Sequence, residues 1–262
     1  MRLGILTLNI ANPSAARAER LLDWLSAREE QVLVLTETGT GQGTRGLLER
    51  LAGAGWDVRT TGPADGERGV AIATSLHASP RVRGLVDYLP WRAEQLTIDS
   101  LDVIGLYVPS RDDSREKVER KRRFCAEVSA RLAAAPSAAS VVIGDLNVLE
   151  PVHRPHYGTF RDWEYRFYDE FVVCGYIDAY RQVHPQGMEY SWVDHQGSGY
   201  RFDHVFLSAG LASRIEACDY DHAAREAELS DHSALVLRLD WPVELDQRET
   251  AKPGHGDSLA LF

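Results

Sequence analysis

The chain has 262 residues, 44 % of them apolar, so it can bury a sizeable core as one large or two small domains without staples. Its cysteines, Cys125, Cys174 and Cys218, are odd in number and lack ligand spacing, which argues against a disulfide framework and for a reducing compartment. A formal net charge of −10 argues against nucleic-acid binding through overall charge, although a carboxylate-built metal site and a local basic patch both fit a negative total.

The N-terminal segment has no charged region followed by an apolar one, and no apolar stretch approaches the ~20 residues of a membrane span. A cytoplasmic protein with no membrane contact, working as a monomer, is therefore expected. Continuous Val, Ile and Leu runs suit strands buried on both faces. The first is Leu3–Ile10, followed by a helix over Ala15–Glu29 with Ser14 as N-cap and Leu21, Leu22 and Leu25 on one face. Strands are then expected at Val32–Thr36, Val70–Thr74 and Leu101–Val108, and a long helix at Ser114–Ala134. A strand at Val141–Gly144, a helix at Trp163–Cys174 and strands at Val205–Ser208 and Ala234–Leu239 complete the pattern. Helices do not alternate regularly with strands, which favours sheets packed face to face with helices outside over a doubly wound sheet. With no repeat or linker in view, residues 1–242 read as one domain and 243–262 as a flexible tail, polar over Gln247–Ser258 and ending in Leu259-Ala260-Leu261-Phe262.

Polar residues collect at strand ends. Asn9, Glu37 and Tyr107 end strands, Asp145 and Asn147 follow one, and Asp203-His204 and Asp231-His232 precede others. Any one of them is most often a turn former or a cap. Together they make a kit for phosphodiester hydrolysis: Glu37 and Asp231 suit a hard cation, and Asp145 can deprotonate water. Asn147, Tyr107 and His232 can donate to phosphate oxygens, with Asp203 orienting the His232 ring. The cation-rich stretch from Arg111 to Arg123 reads either as a phosphate-contacting patch or as a solvated helix face. Gly39–Gly43 lacks the Lys-Ser/Thr of a Walker loop, and the spacing of His153, His156, His184, His195 and His222 matches no standard zinc site.

The segments Leu8-Asn9-Ile10, Leu35-Thr36-Glu37, Tyr107-Val108-Pro109-Ser110, Gly144-Asp145-Leu146-Asn147-Val148, Arg201-Phe202-Asp203-His204 and Ser230-Asp231-His232 occur in this order. The set resembles the signature of the endonuclease/exonuclease/phosphatase superfamily, and within it the exonuclease III and AP-endonuclease branch. That resemblance implies a four-layer α/β sandwich, two mixed β-sheets face to face with helices outside. It also implies a Mg²⁺- or Mn²⁺-dependent phosphodiesterase acting on DNA in repair. By the same resemblance Glu37 is a metal ligand with Asn9 and Asp231 nearby. Asp145 handles the attacking water or the leaving group, Asn147, Tyr107 and His232 contact the phosphate, and Asp203 pairs with His232. Ser110, Trp192, Tyr200 and Arg201 fall where the branch contacts substrate, and Asp178-Ala179-Tyr180-Arg181 resembles its Asp-x-x-Arg element. Ala11 and the loop Leu149–Tyr157 depart from the branch pattern. An alternative substrate is a small or lipid phosphate such as an inositol phosphate, against which stands Gly199–Asp203 in place of Pro-Ala-Trp-x-Asp-Arg; a catalytically dead binding module is a third reading. In the tail, Leu259, Leu261 and Phe262 match the apolar anchors of the peptide that docks on the bacterial β sliding clamp, with Ser258 in place of its Gln.

Overall fold

Strands form where apolar and β-branched side chains run without a polar break. In the computed structural model, which describes residues 2–80, 84–134 and 139–242, these are β1 (Leu3–Asn9), β2 (Val32–Thr38), β3 (Asp57–Arg59), β4 (Gly69–Thr74), β5 (Ser79–Pro80), β6 (Ala93–Ile98) and β7 (Leu101–Tyr107). They continue with β8 (Ser140–Asp145), β9 (Tyr176–Asp178), β10 (Trp192–Val193), β11 (Gly199–Tyr200), β12 (Asp203–Ser208), β13 (Ile215–Asp221) and β14 (Ala234–Leu239). One six-stranded sheet has the order β13-β14-β1-β2-β4-β3, the other β5-β6-β7-β8-β12-β9, and β10-β11 is a small separate hairpin. Both large sheets are mixed: β1 runs parallel to β2 and antiparallel to β14, and β7 runs parallel to β8 and antiparallel to β6.

The central core lies between the sheets, where Ile5, Val34, Val70 and Ile72 meet Val103, Val141, Ile143 and Val205. At Gly105 the sheets approach so closely that a Cβ would lie 2.8 Å from Val34 Cγ1 and 2.9 Å from Val70 Cγ1. Helices α1 (Ala15–Ser26) and α2 (Gln42–Gly53) cover the outer face of the first sheet, burying Leu21, Leu22, Leu25, Leu47 and Leu51. Helices α3 (Arg115–Ala134) and α4 (Asp162–Val173) cover the second, burying Phe124, Val128, Phe167 and Phe171. The result is the four-layer α/β sandwich expected from the motifs.

Ser14 caps α1 as expected, its side chain accepting from Arg17 N. Helix α2 begins inside the Gly39–Gly43 stretch read as a loop, since its apolar face reduces to Leu47 and Leu51. Strand β13 was also not anticipated, because its edge position leaves Glu216 and Asp219 exposed and breaks the apolar run. Among the described residues no helix is long and apolar enough to cross a membrane. Residues 243–262, with Leu259, Leu261 and Phe262, lie outside the described residues.

Gly105→Ala should destabilise the domain, because a methyl has no space between two sheets that cannot separate locally. Overpacking of this kind costs about 1–3 kcal/mol. A lower midpoint in urea denaturation checks it.

Candidate active site

The parallel pairs β1–β2 and β7–β8 end at the same edge of the sandwich, and β12 and β14 begin there. Tyr107, Asp145 and Asp203 lie side by side in register on β7, β8 and β12. Asn9 ends β1, and the turn before β14 brings Asp231 and His232 to the same edge. Glu37 arrives by a different device. The β2–β4 ladder slips between Thr36 and Thr38, so Glu37 is the bulged residue, with φ of 53°. A bulge bends the strand and re-aims one side chain, and the left-handed backbone of a non-glycine residue costs roughly 1–2 kcal/mol. Gly144 precedes Asp145 because its φ of 145° and the 2.1 Å from a would-be Cβ to Leu106 O leave no place for a side chain.

Each carboxylate has its own donor. Asn9 Nδ2 donates to Asp145 Oδ2 at 2.9 Å, and the Tyr107 hydroxyl donates to Glu37 Oε1 at 2.9 Å. His232 Nδ1 is 2.7 Å from Asp203 Oδ2, and Trp192 Nε1 donates to Asp231 Oδ2 at 3.0 Å. Asp145 Oδ1 also accepts from Asn147 N at 2.9 Å, and Asn147, with φ of 48°, gives its amide N–H to Val108 O at 3.1 Å.

Burial, then the neighbouring Asp203 and Glu37 charges, push the Asp145 carboxyl up to about 7 against the opposing pull of His232. Burial disfavours the charged His232 ring, but the Asp203 charge and hydrogen bond, with Asp145 and Asp231 behind them, push it up to about 9. Burial and the Glu37 and Asp145 carboxylates hold the Tyr107 phenol protonated far above its usual range.

Glu37, Ser110, Asp145, Asn147, Asp231 and His232 line one cleft of about 350 Å³, whose other wall is Phe160, Trp192 and Phe202. Tyr107, Asn9 and Asp203 are buried behind that lining. The donor set is oxygen-only and carries excess negative charge, which suits a hard cation. Among the described residues no group of three or more His, Cys, Asp or Glu side chains forms a ready cage. Glu37 and Asp231 would therefore hold such an ion together with water or substrate oxygens.

Two expectations need correcting. Arg201 is not in the cleft: it is completely buried in the link between β11 and β12, where it pairs with Asp178 at 2.7 Å and Glu150 at 2.9 Å, while Phe202 lines the cleft. The cations of 111–123 do not form a uniformly solvated face, and two of them, Arg111 and Lys121, line the cleft itself. Lys121 is buried, Arg111 and Arg120 pair with Glu164 and Glu67, and Arg123 covers the Tyr88 ring. Tyr200 stands one step back from the cleft, stacked on Phe202 at 5.2 Å and Tyr157 at 4.3 Å. Phe160 was missed: its loop carries no motif, and only the start of α4 at Asp162 brings it to the cleft.

A carboxylate-rich cleft at one end of two packed mixed sheets is the arrangement of an α/β-sandwich hydrolase. The family model described as Endonuclease/Exonuclease/phosphatase matches residues 6–232, and the chain belongs to that family. No curated protein matches the sequence. Among solved structures, the chain is similar to an AP endonuclease from Archaeoglobus fulgidus, with 28 % identity and a TM-score of 0.79 over 91 % of this chain and 100 % of that one. It is similar in fold to the 3′ phosphatase NExo from Neisseria bound to a product DNA hairpin, with 23 % identity and a TM-score of 0.80, again over 91 % and 100 %. The 3′–5′ exonuclease NExo from Neisseria meningitidis gives 24 % and 0.79 over the same shares. The resemblance to the exonuclease III and AP-endonuclease branch read from the motifs is thus borne out.

In metal-free protein, Asp203→Asn should bring His232 down from about 9 toward the ordinary imidazole range, as read by NMR titration. A raised histidine stabilises the fold below its unfolded value of about 6.5 and loses that contribution as pH rises through the folded value. The stability gap between wild type and Asp203→Asn should therefore be widest just below about pH 6.5 and shrink as pH rises from there through about 9.

Proposed function

We propose that the protein is a Mg²⁺- or Mn²⁺-dependent DNA nuclease of repair, a cytoplasmic monomer acting at abasic sites or 3′ ends. The observation that carries this reading is the convergence of Glu37, Asp145, Asn147, Asp231 and His232 on a cleft with an aromatic wall. The Archaeoglobus AP endonuclease and the DNA-bound Neisseria 3′ phosphatase lend it support. The cation, when bound by Glu37 and Asp231, supplies charge neutralisation and Lewis acidity at a phosphoryl oxygen. Asn9, though close, acts through its hydrogen bond to Asp145.

Asp145 takes the proton of the attacking water; burial among carboxylates raises its basicity for that task. Asn147 donates a hydrogen bond to a phosphoryl oxygen, and the His232 imidazolium, kept charged by Asp203, balances the negative charge that develops there. Tyr107, placed among the phosphate contacts by the motif resemblance, has its hydroxyl engaged on Glu37 and in this mechanism orients that ligand. Ser110 and Trp192 border the substrate, with Tyr200 backing the aromatic wall. Stacking on such a wall contributes about 1–3 kcal/mol per base.

Cleavage of abasic duplex DNA, plain duplex and inositol phosphates with Mg²⁺ or Mn²⁺ tests the proposal, and activity on inositol phosphates alone would overturn the DNA reading. Excess EDTA should abolish cleavage and Glu37→Gln should remove most of it. Asp145→Asn and His232→Ala should each lower kcat by about 10²–10⁴ while the protein still folds.

For the tail the support is sequence alone. Leu259, Leu261 and Phe262 are proposed to dock on the β sliding clamp, each burying about 1.5–3 kcal/mol of apolar side chain. Calorimetry with the 243–262 peptide should give micromolar binding, lost when Leu261 and Phe262 are both changed to Ala.

A further inference from the structure

One part of the cleft lining is a charge cluster of Lys121, Arg111 and Glu164 to which the proposed chemistry gives no role. Lys121, on α3, is 1 % exposed, and its ammonium donates to Glu164 Oε1 and to Asn147 O, each at 2.6 Å. Glu164, on α4, is equally buried and accepts at Oε2 from Arg111 Nε and Arg161 N, each at 3.0 Å. Arg111 also donates to Thr159 O at 2.7 Å, and the Lys121 ammonium lies 5.9 Å from the Phe160 ring. Burial alone would raise the Glu164 carboxyl, but the Lys121 charge and the Arg111 hydrogen bond hold it below the usual range, so it is ionised.

Helix capping and charge balance account for only part of this arrangement. Glu164 caps α4 through Arg161 N and already has a cation in Arg111, which it shares with the exposed Asp113. A second buried cation is surplus to both tasks, and a buried ion pair is commonly matched in stability by apolar side chains of equal volume. What an apolar side chain cannot do at this place is hold the carbonyl of Asn147. That residue has a left-handed backbone at φ 48°, a conformation uncommon outside glycine though better tolerated by asparagine than by most side chains. Its N–H is held by Asp145, its side-chain amide by Val108 O and its carbonyl by Lys121. Without the last contact the peptide plane after Asn147 can turn, and the amide at the cleft wall turns with it.

We propose that Lys121 is a positioning residue: through its hydrogen bond to the Asn147 carbonyl it fixes the direction in which Asn147 meets the scissile phosphate, and Glu164 with Arg111 holds Lys121 in place. This rests on the phosphodiester-cleaving role given to Asn147 above. The ground state gains little from such a restraint, whereas a small misplacement of a transition-state donor can cost about a hundredfold in rate.

The test is a double-mutant cycle read in single-turnover rates with Mg²⁺ on abasic duplex DNA and on bis(p-nitrophenyl) phosphate. Lys121→Met with Glu164→Gln removes the donor and its carboxylate partner together, leaving Arg111 paired with Asp113. It should lower kcat tenfold or more with KM within threefold, while Lys121→Arg, which keeps donors and charge, should restore most of the rate. In an Asn147→Ala background the Met/Gln pair should change kcat by less than twofold. If the pair fails to fold, the same cycle is run with Lys121→Gln, whose amide is one bond too short to serve both acceptors, and the same pattern decides. An equal fractional loss with and without Asn147, or no loss in kcat, overturns the positioning role while leaving the nuclease reading intact. If wild type cuts neither substrate, the reading of the cleft falls and this role with it.

Discussion

Carboxylates repel one another, and this structure gathers Glu37, Asp145, Asp203 and Asp231 at one end of a sandwich. Everything near the cleft answers that repulsion. Each acid is met by a side-chain donor: Tyr107 for Glu37, Asn9 for Asp145, His232 for Asp203 and Trp192 for Asp231, with Asn147 N a second donor to Asp145. Of these only His232 brings a compensating charge, and the raised Asp145 carboxyl and His232 ring record what is left over. A residual negative field in a partly buried cleft is what a small divalent cation neutralises best.

Three of the four side-chain contacts cross from one sheet to the other. Asn9 and Glu37 belong to the first sheet and Asp145 and Tyr107 to the second, and His232, leading into β14, reaches Asp203 on β12. The site is therefore a property of how the sheets are stacked, and the close approach at Gly105 is part of it. Behind the cleft, Arg201, Arg181, Glu150 and Asp178 form a buried ionic knot that ties the loop after Asn147 to β9 and to the segment entering β12. Burial opposes ionisation there, yet the Arg201 charge holds Asp178 well below the usual carboxylate range. That knot gives Arg201 a structural reason to be where the motif puts it.

Much of this was legible in the sequence. Strands buried on both faces announce themselves as unbroken Val, Ile and Leu runs, and β1, β8, β12 and β14 fall within a residue or two of the expected positions. The joint order of Glu37, Asp145, Asn147 and Asp231-His232 was informative because each residue sat at a strand end, where parallel neighbours finish together. Other features were hidden. A motif does not say which way a side chain points, so Arg201 reads like Phe202 until the fold is known. Lys121 reads as one cation among many in 111–123, since burial of an ammonium depends on Glu164, 43 positions away. Helix α2 and strand β13 carry too few apolar side chains to show a period.

The order in which the chain builds the two sheets has its own consequence. Strands β5 to β12 all belong to the second large sheet or the β10–β11 hairpin, whereas the first sheet combines β1–β4 with β13 and β14. The residues that complete the cleft, Asp231 and His232, arrive only with β14, which must then find β1 from the opposite end of the fold. A nascent chain that has finished the second sheet still lacks an imidazole for Asp203 and a partner for the exposed edge of β1. Until almost the whole domain has emerged, the nascent chain thus lacks the Asp231 and His232 that line the cleft and the two strands that finish the first sheet.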